Sequence, residues 1–166
     1  MATSIEKVLA NAEVYSKKFD KWDLPLRPRL KLAVLVCMDS RIDIFGIFGL
    51  KEGDAHVIRN AGGAADDDAV RSIMISQHLM GTEEIIVVHH TNCGMEKFEP
   101  VTFMREIEQS TGHRPNWDER NLGDLGANVV RTVELLRNNP LIPHRHAIRG
   151  FLYDVYTGTL TEPESA

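Results

Sequence analysis

The chain holds only two cysteines, Cys37 and Cys93, and each lies in a short polar segment that follows an apolar run. His90 stands three residues before Cys93. Two thiolates and an imidazole suit zinc, a borderline-soft dication, and three protein ligands leave a fourth position for water. A closed structural site would call for a fourth Cys or His, usually in a Cys-x-x-Cys pair, and the sequence has no such pair. The pattern therefore favours an open, catalytic site with one zinc per chain. The plain alternative is two small buried hydrophobes and a satisfied core histidine; it suits any one of these residues better than it suits all three together.

Charge makes the neighbours intelligible. Two thiolates cancel the dication, so zinc held this way is a weaker Lewis acid than zinc on three neutral histidines, and activating its water calls for further groups. Asp39 is placed to accept a hydrogen bond from that water and orient the lone pair used for attack. Arg41, two residues on, can pair with Asp39 and hold it off the metal; without that grip Asp39 can itself take the fourth position. Ala61, Gly62 and Gly63 close the segment Arg59-Asn60-Ala61-Gly62-Gly63 just before a predicted helix. Glycines let backbone N–H groups approach a ligand, and a helix N-terminus favours an anion, so these three are candidate substrate-binding residues for a developing oxyanion. Asp66, Asp67 and Asp68 offset the dipole of that helix. The double glycine is no dinucleotide fingerprint, because G-x-G-x-x-G is absent. A phosphatase-type Cys-x5-Arg loop is excluded by Asp43. His56 and His89 titrate in the right range for proton transfer, yet adjacent strand residues face opposite ways, so His89 should point away from the metal. Both histidines read as structural.

These segments need strands to carry them. Leu32–Val36, Ala55–Ile58 and Ile85–Val88 are continuous apolar runs of strand length, suited to a parallel sheet covered on both faces. Each is followed by one of the three polar segments, and ligands bind at the carboxyl ends of such strands. Helical spacing marks Ile5 to Phe19 behind a Thr3/Glu6 capping box, and residues 65–80 through Val70, Ile73, Met74 and Leu79 up to Gly81. A further helix opens at Pro100 and ends near Gly112, and a longer one carries Leu122, Leu125, Val129, Val133 and Leu136 before Asn139-Pro140. A last strand, Ile148 to Val155, leads to a turn at Thr157-Gly158. The fold class expected is α/β, a mainly parallel sheet flanked by helices, in a single domain over 1–166 with residues 1–30 as an N-terminal helical arm.

A formal net charge of -5 disfavours nucleic acid and anionic membranes as partners. No span approaches bilayer length and the first residues lack a signal-peptide pattern, so the expectation is a cytoplasmic protein whose cysteines stay reduced.

With these residues in view, the sequence resembles the β-class carbonic anhydrases. Their pattern Cys-x-Asp-x-Arg, Arg-Asn-Ala-Gly and His-x-x-Cys-Gly is matched by Cys37/Asp39/Arg41, Arg59 to Gly62, and His90/Cys93/Gly94. Arg149 to Asp154 and Thr157 to Leu160 also resemble that family's last strand and turn. The resemblance spans roughly residues 30–160. It implies zinc on Cys37, His90 and Cys93, an Asp39–Arg41 dyad, hydration of carbon dioxide to bicarbonate, and a homodimer or homotetramer with sites at subunit interfaces. His89 stands where many members have glycine, and Trp22 to Lys31 lacks the glutamine of longer members. The compact microbial branch suggested by these departures also contains carbonyl sulfide hydrolases, so carbonyl sulfide is the alternative substrate; a non-catalytic zinc or bicarbonate-sensing domain is the third reading, and the intact Asp39-x-Arg41 speaks against it.

Overall fold

Leu32–Cys37 forms the central strand β1, and all of its residues are buried. A run of Leu, Val and Ala without polar alternation is what a strand covered on both faces requires. In this computed structural model, which describes residues 2–97, 99–116 and 125–164, β2 (Ala55–Asn60) and β3 (Glu84–His90) pair with β1 in parallel on its two sides. β4 (Ile148–Tyr153) extends the sheet in parallel beyond β3, and β5 (Leu160–Thr161) ends it antiparallel, giving the order β2-β1-β3-β4-β5. The chain thus turns one way from β1 to β2 and crosses back to reach β3. That reversal makes a crevice at the carboxyl ends of β1 and β3, where an open α/β sheet binds its ligands.

Alternation along the strands sorts the core into two faces. Ala33, Leu35, Ile85 and Val87 pack with Ile73 of α3 (Asp67–His78) and with Val133 and Leu136 of α5 (Leu125–Arg137). Leu32, Val34, Val36 and Val88 face the other way, towards Ile42, Ile44 and Leu50. That second face is covered mainly by α2 (Ile44–Phe48), and Val57 and Ile86 remain only partly buried. α4 (Pro100–Thr111) opens with Pro100 in its first turn and ends at Gly112 in the left-handed conformation, as its sequence predicts. The residue pattern for α5 holds at the buried Val129, Val133 and Leu136; Leu122 lies outside the described residues.

Two elements have no counterpart in the sequence pattern. α2 has five residues, too few to show a helical period, and is defined by its ends: the Asp43 carboxylate accepts from Gly46 N–H, and Gly49 closes it at φ 62°. β5 has two residues, too few to alternate. α1 (Ser4–Ser16) has the Thr3/Glu6 capping box that its sequence predicts, yet none of its residues is buried and Ile5, Val8 and Leu9 stay exposed. Its apolar side has no cover from the described residues of this chain. Among the described residues no helix is long and apolar enough to cross a membrane.

Candidate metal centre

Cys37 ends β1, His90 ends β3, and Cys93 sits in the loop before a short 3-10 turn at Gly94–Glu96. One donor atom from each lies within 4.8 Å of the others, and all three residues are buried. The two sulfurs are 4.0 Å apart. Both cysteines are free.

The imidazole of His90 supplies the test of whether this cluster suits a metal. Its Nδ1 lies 3.0 Å from the carbonyl oxygen of Thr91. A carbonyl only accepts, so Nδ1 carries the proton and Nε2 keeps a bare lone pair. That Nε2 is buried and has no hydrogen-bond partner. A buried unsatisfied acceptor is costly, and a cation between it and two sulfurs removes the cost. Two Sγ atoms and one Nε2 form a donor set that fits zinc, and the cluster holds no fourth Cys, His or carboxylate among the described residues.

The Cys37 thiol is pushed down, first by the hydrogen bond from Cys93, then by His90 and by the backbone N–H groups of Asp39 and Gly62. Cys93 is pushed up, chiefly because it donates to Cys37. Burial opposes a charge on His90, but the adjacent Cys37 sulfur and the Asp39 carboxylate outweigh it and raise its pKa. Cys37 is therefore the natural thiolate of the pair.

Asp39 stands beside this cluster. Its Oδ1 accepts from Arg41 N–H and Nε, each at 2.9 Å, and its Oδ2 accepts from Arg41 Nη2 at 2.7 Å. Oδ2 is also 3.9 Å from His90 Nε2. Hydrogen bonds from Arg41, side chain first and backbone second, hold the carboxyl well below the usual carboxylate range. Arg41 further donates to the carbonyl of Asn92 at 3.1 Å, tying the Cys37 loop to the Cys93 loop. Asp39 is thus an ionised group in the grip of Arg41, outside the three-donor cluster.

Two positioning roles escape a reading of the sequence. Arg59 donates to the carbonyls of Cys37, Ile42 and Asp39, with the shortest bond, 2.7 Å, to Asp39. One guanidinium therefore fixes the loop bearing a sulfur and a carboxylate. Asn60 clasps Ala64 from both sides, donating to its carbonyl and accepting from its N–H, so the intervening Ala61–Gly63 turn is closed. Both residues sit in the Arg59–Gly63 segment, where attention to the glycines leaves their side chains without a role. Glu96 adds a third tie, accepting from Cys93 N–H at 2.9 Å.

The Ala61–Gly63 turn lies against the end of β1, where a Cβ on Gly63 would come within 2.9 Å of Cys37 N. Gly62 and Gly63 have φ of 83° and 67°, a conformation that favours glycine at both positions. The Gly62 backbone is among the groups that hold the Cys37 thiol down. The N-terminus of α3 is also engaged: Asp66 caps it by accepting from Ala69 N–H at 2.8 Å, and Asp67 and Asp68 occupy its first turn. His89 is buried on the side away from His90's cluster, near Gly63 and Thr132, and burial pushes its pKa down to about 4. His56 bonds to Ser76 Oγ at 2.8 Å, away from the cluster.

A family model described as carbonic anhydrase matches residues 32–160. Beta-carbonic anhydrase 1 of Mycobacterium tuberculosis is 43% identical over 160 residues, covering 96% of this chain and 98% of that protein. The carbon disulfide hydrolase of Acidithiobacillus thiooxidans is 35% identical, over 80% of this chain and 77% of its own length. Among solved structures, the carbonic anhydrase of Streptococcus mutans superposes with a TM-score of 0.91 at 35% identity, covering 99% of both chains.

Proposed function

Because this chain belongs to the β-carbonic anhydrase family, we propose that it is a zinc enzyme that reversibly hydrates carbon dioxide to bicarbonate, with Cys37, His90 and Cys93 as zinc ligands. The observation that carries this reading is the buried, unpartnered Nε2 of His90 facing two buried sulfurs. Zinc bound there supplies Lewis acidity and an activated water at neutral pH.

The protein's own groups do the rest. Asp39, kept ionised by Arg41, accepts a hydrogen bond from the attacking water and aims its lone pair at the substrate carbon. Arg41 occupies both carboxylate oxygens of Asp39 and so keeps it from becoming a fourth ligand. Arg59 holds the Asp39 carbonyl and with it the distance between carboxylate and sulfur. Ala61, Gly62 and Gly63 form the backbone wall on the substrate side, with the Gly62 backbone holding the Cys37 thiol down.

A second copy of the chain completes the assembly in this reading, as a homodimer or larger homo-oligomer. Exposed Ile5, Val8 and Leu9 on α1, and the partly buried Val57 and Ile86, are apolar surface of the kind that self-association covers. A reducing, cytoplasmic setting suits two free cysteines.

The carbon disulfide hydrolase relative favours a second reading, hydrolysis of a sulfur-containing analogue such as carbonyl sulfide with release of hydrogen sulfide. Measuring kcat/KM for carbon dioxide and carbonyl sulfide on one zinc-loaded preparation separates the two. Rapid carbon dioxide hydration supports the first. Background turnover of carbon dioxide with fast sulfide release replaces it with the second.

A further inference from the structure

His89 is 1% exposed, and a packing role alone would be served better by an apolar side chain. Its Nε2 lies 3.2 Å from the carbonyl oxygen of Gly63 and 3.4 Å from Thr132 Oγ1 of α5. The carbonyl can only accept, so the proton resides on Nε2. Nδ1 is then a buried acceptor with no partner. The imidazole gives up one nitrogen's hydrogen bond in order to make the other.

What that bond holds is the Ala61–Gly63 turn. Two consecutive glycines with positive φ make a soft stretch of backbone that needs tethers to keep an amide aimed. Asn60 supplies one tether through Ala64. His89 supplies the other through the Gly63 carbonyl, and it does so from β3, the strand that carries His90. Gly63 itself is seated on the strand ends: a Cβ there would come within 2.9 Å of Cys37 N and 3.1 Å of Val88 O. An unbroken path therefore runs from Thr132 through His89 and Gly63 to the backbone of Cys37.

We propose that His89 is a positioning residue for the metal site, holding the Gly62–Gly63 backbone against the Cys37 end of β1 so that the sulfur of Cys37 keeps its place. This deepens the zinc reading and rests on it. The role differs from that of Asp39 and Arg41, since His89 touches neither substrate nor metal and acts through the glycine turn.

The test compares the parent, His89→Leu and His89→Gln after loading with cobalt(II) and after loading with zinc. The readouts are the sulfur-to-cobalt charge-transfer bands, zinc affinity by chelator competition, and urea unfolding of the metal-free forms. His89→Leu is expected to shift the charge-transfer bands and to weaken zinc binding roughly ten- to a hundred-fold. His89→Gln, whose amide can donate to the Gly63 carbonyl, is expected to restore the parent bands and most of the affinity. A His89→Leu protein with parent bands and zinc affinity within about two-fold of the parent overturns the proposal, whatever its stability. If His89→Leu does not fold, nitrogen-15 NMR of the zinc-loaded parent decides: a proton on Nε2 of His89 supports the role, and a proton on Nδ1 overturns it. Failure of the parent itself to bind either metal is a separate result, and it overturns the zinc reading first.

Discussion

Replacing Gly63 with alanine tests how tightly the glycine turn is built onto the strands that carry Cys37 and His90. The backbone there has φ 67°, where an L-residue costs about 1–2 kcal/mol relative to glycine. A Cβ at this position would lie 2.9 Å from Cys37 N, 3.1 Å from Val36 C and 3.1 Å from Val88 O. These are backbone atoms of buried strands, not flexible side-chain ends, and relieving such overpacking adds about 1–3 kcal/mol. The expected loss is about 2–5 kcal/mol, a large share of the ~5–15 kcal/mol that stabilises a typical domain. For a chain of this size each kcal/mol lowers Tm by roughly 2–4 °C. Gly94 is the matched control: it lies in the Cys93 loop, and a Cβ there meets nothing within 4 Å. Gly94→Ala should stay within about 0.5 kcal/mol of the parent. Urea unfolding of the metal-free proteins gives both numbers, and zinc competition shows whether the turn has lifted from Cys37. A Gly63→Ala protein within about 1 kcal/mol of the parent, with unchanged zinc affinity, would refute the close seating of the turn.

Asp39→Ala should lower kcat/KM by at least about a hundred-fold while zinc stays near one per chain, measured by stopped-flow carbon dioxide hydration and metal analysis. Undiminished turnover would remove the role given to Asp39. Stripping the metal with a chelator should abolish turnover, and zinc or cobalt should restore it; full activity in metal-free protein would end the zinc reading. His56 should make stability depend on pH, because burial lowers its pKa below the ordinary 6.5. Between the folded and unfolded values the unfolded chain holds more protons, so this contribution is present above 6.5 and is lost as pH falls through the folded value. His56→Gln should flatten that part of the slope in urea unfolding on either side of 6.5, and identical slopes for parent and variant would contradict it.

The sheet is legible in the sequence because burial on both faces writes itself as uninterrupted apolar runs, and Leu32–Val36 is a strand with every residue buried. The three donors are legible because cysteines are few here: Cys37 ends β1, and Cys93 lies in the loop just after β3 and its last residue, His90. α2 and β5 are not, since five and two residues carry no period and their limits are set by caps and turns. The α1 pattern predicts an amphipathic helix, and the helix is present, but periodicity does not tell which surface an apolar stripe meets. The side-chain duties of Arg59 and Asn60 stay hidden for another reason. Their partners are backbone carbonyls and amides, which every residue possesses, so no sequence pattern marks the acceptor.

The same blindness to backbone hides how the charge problem of this site is met. Two thiolates on a dication leave little Lewis acidity, and drawing electron density from a sulfur is one way to recover some. The backbone of Asp39 and of Gly62, on two different loops, holds the Cys37 thiol down, whereas Cys93 has such help from Met95. The sulfurs are therefore unequal. The more heavily bonded one is held by the loop that Arg59 clamps and by the turn that His89 and Asn60 tether. In the proposed zinc reading Arg59, Asn60 and His89 would act on the metal only at second hand, by keeping the backbone around Cys37 in place. Arg41 complements them by keeping a full negative charge, that of Asp39, close to the cluster but outside it.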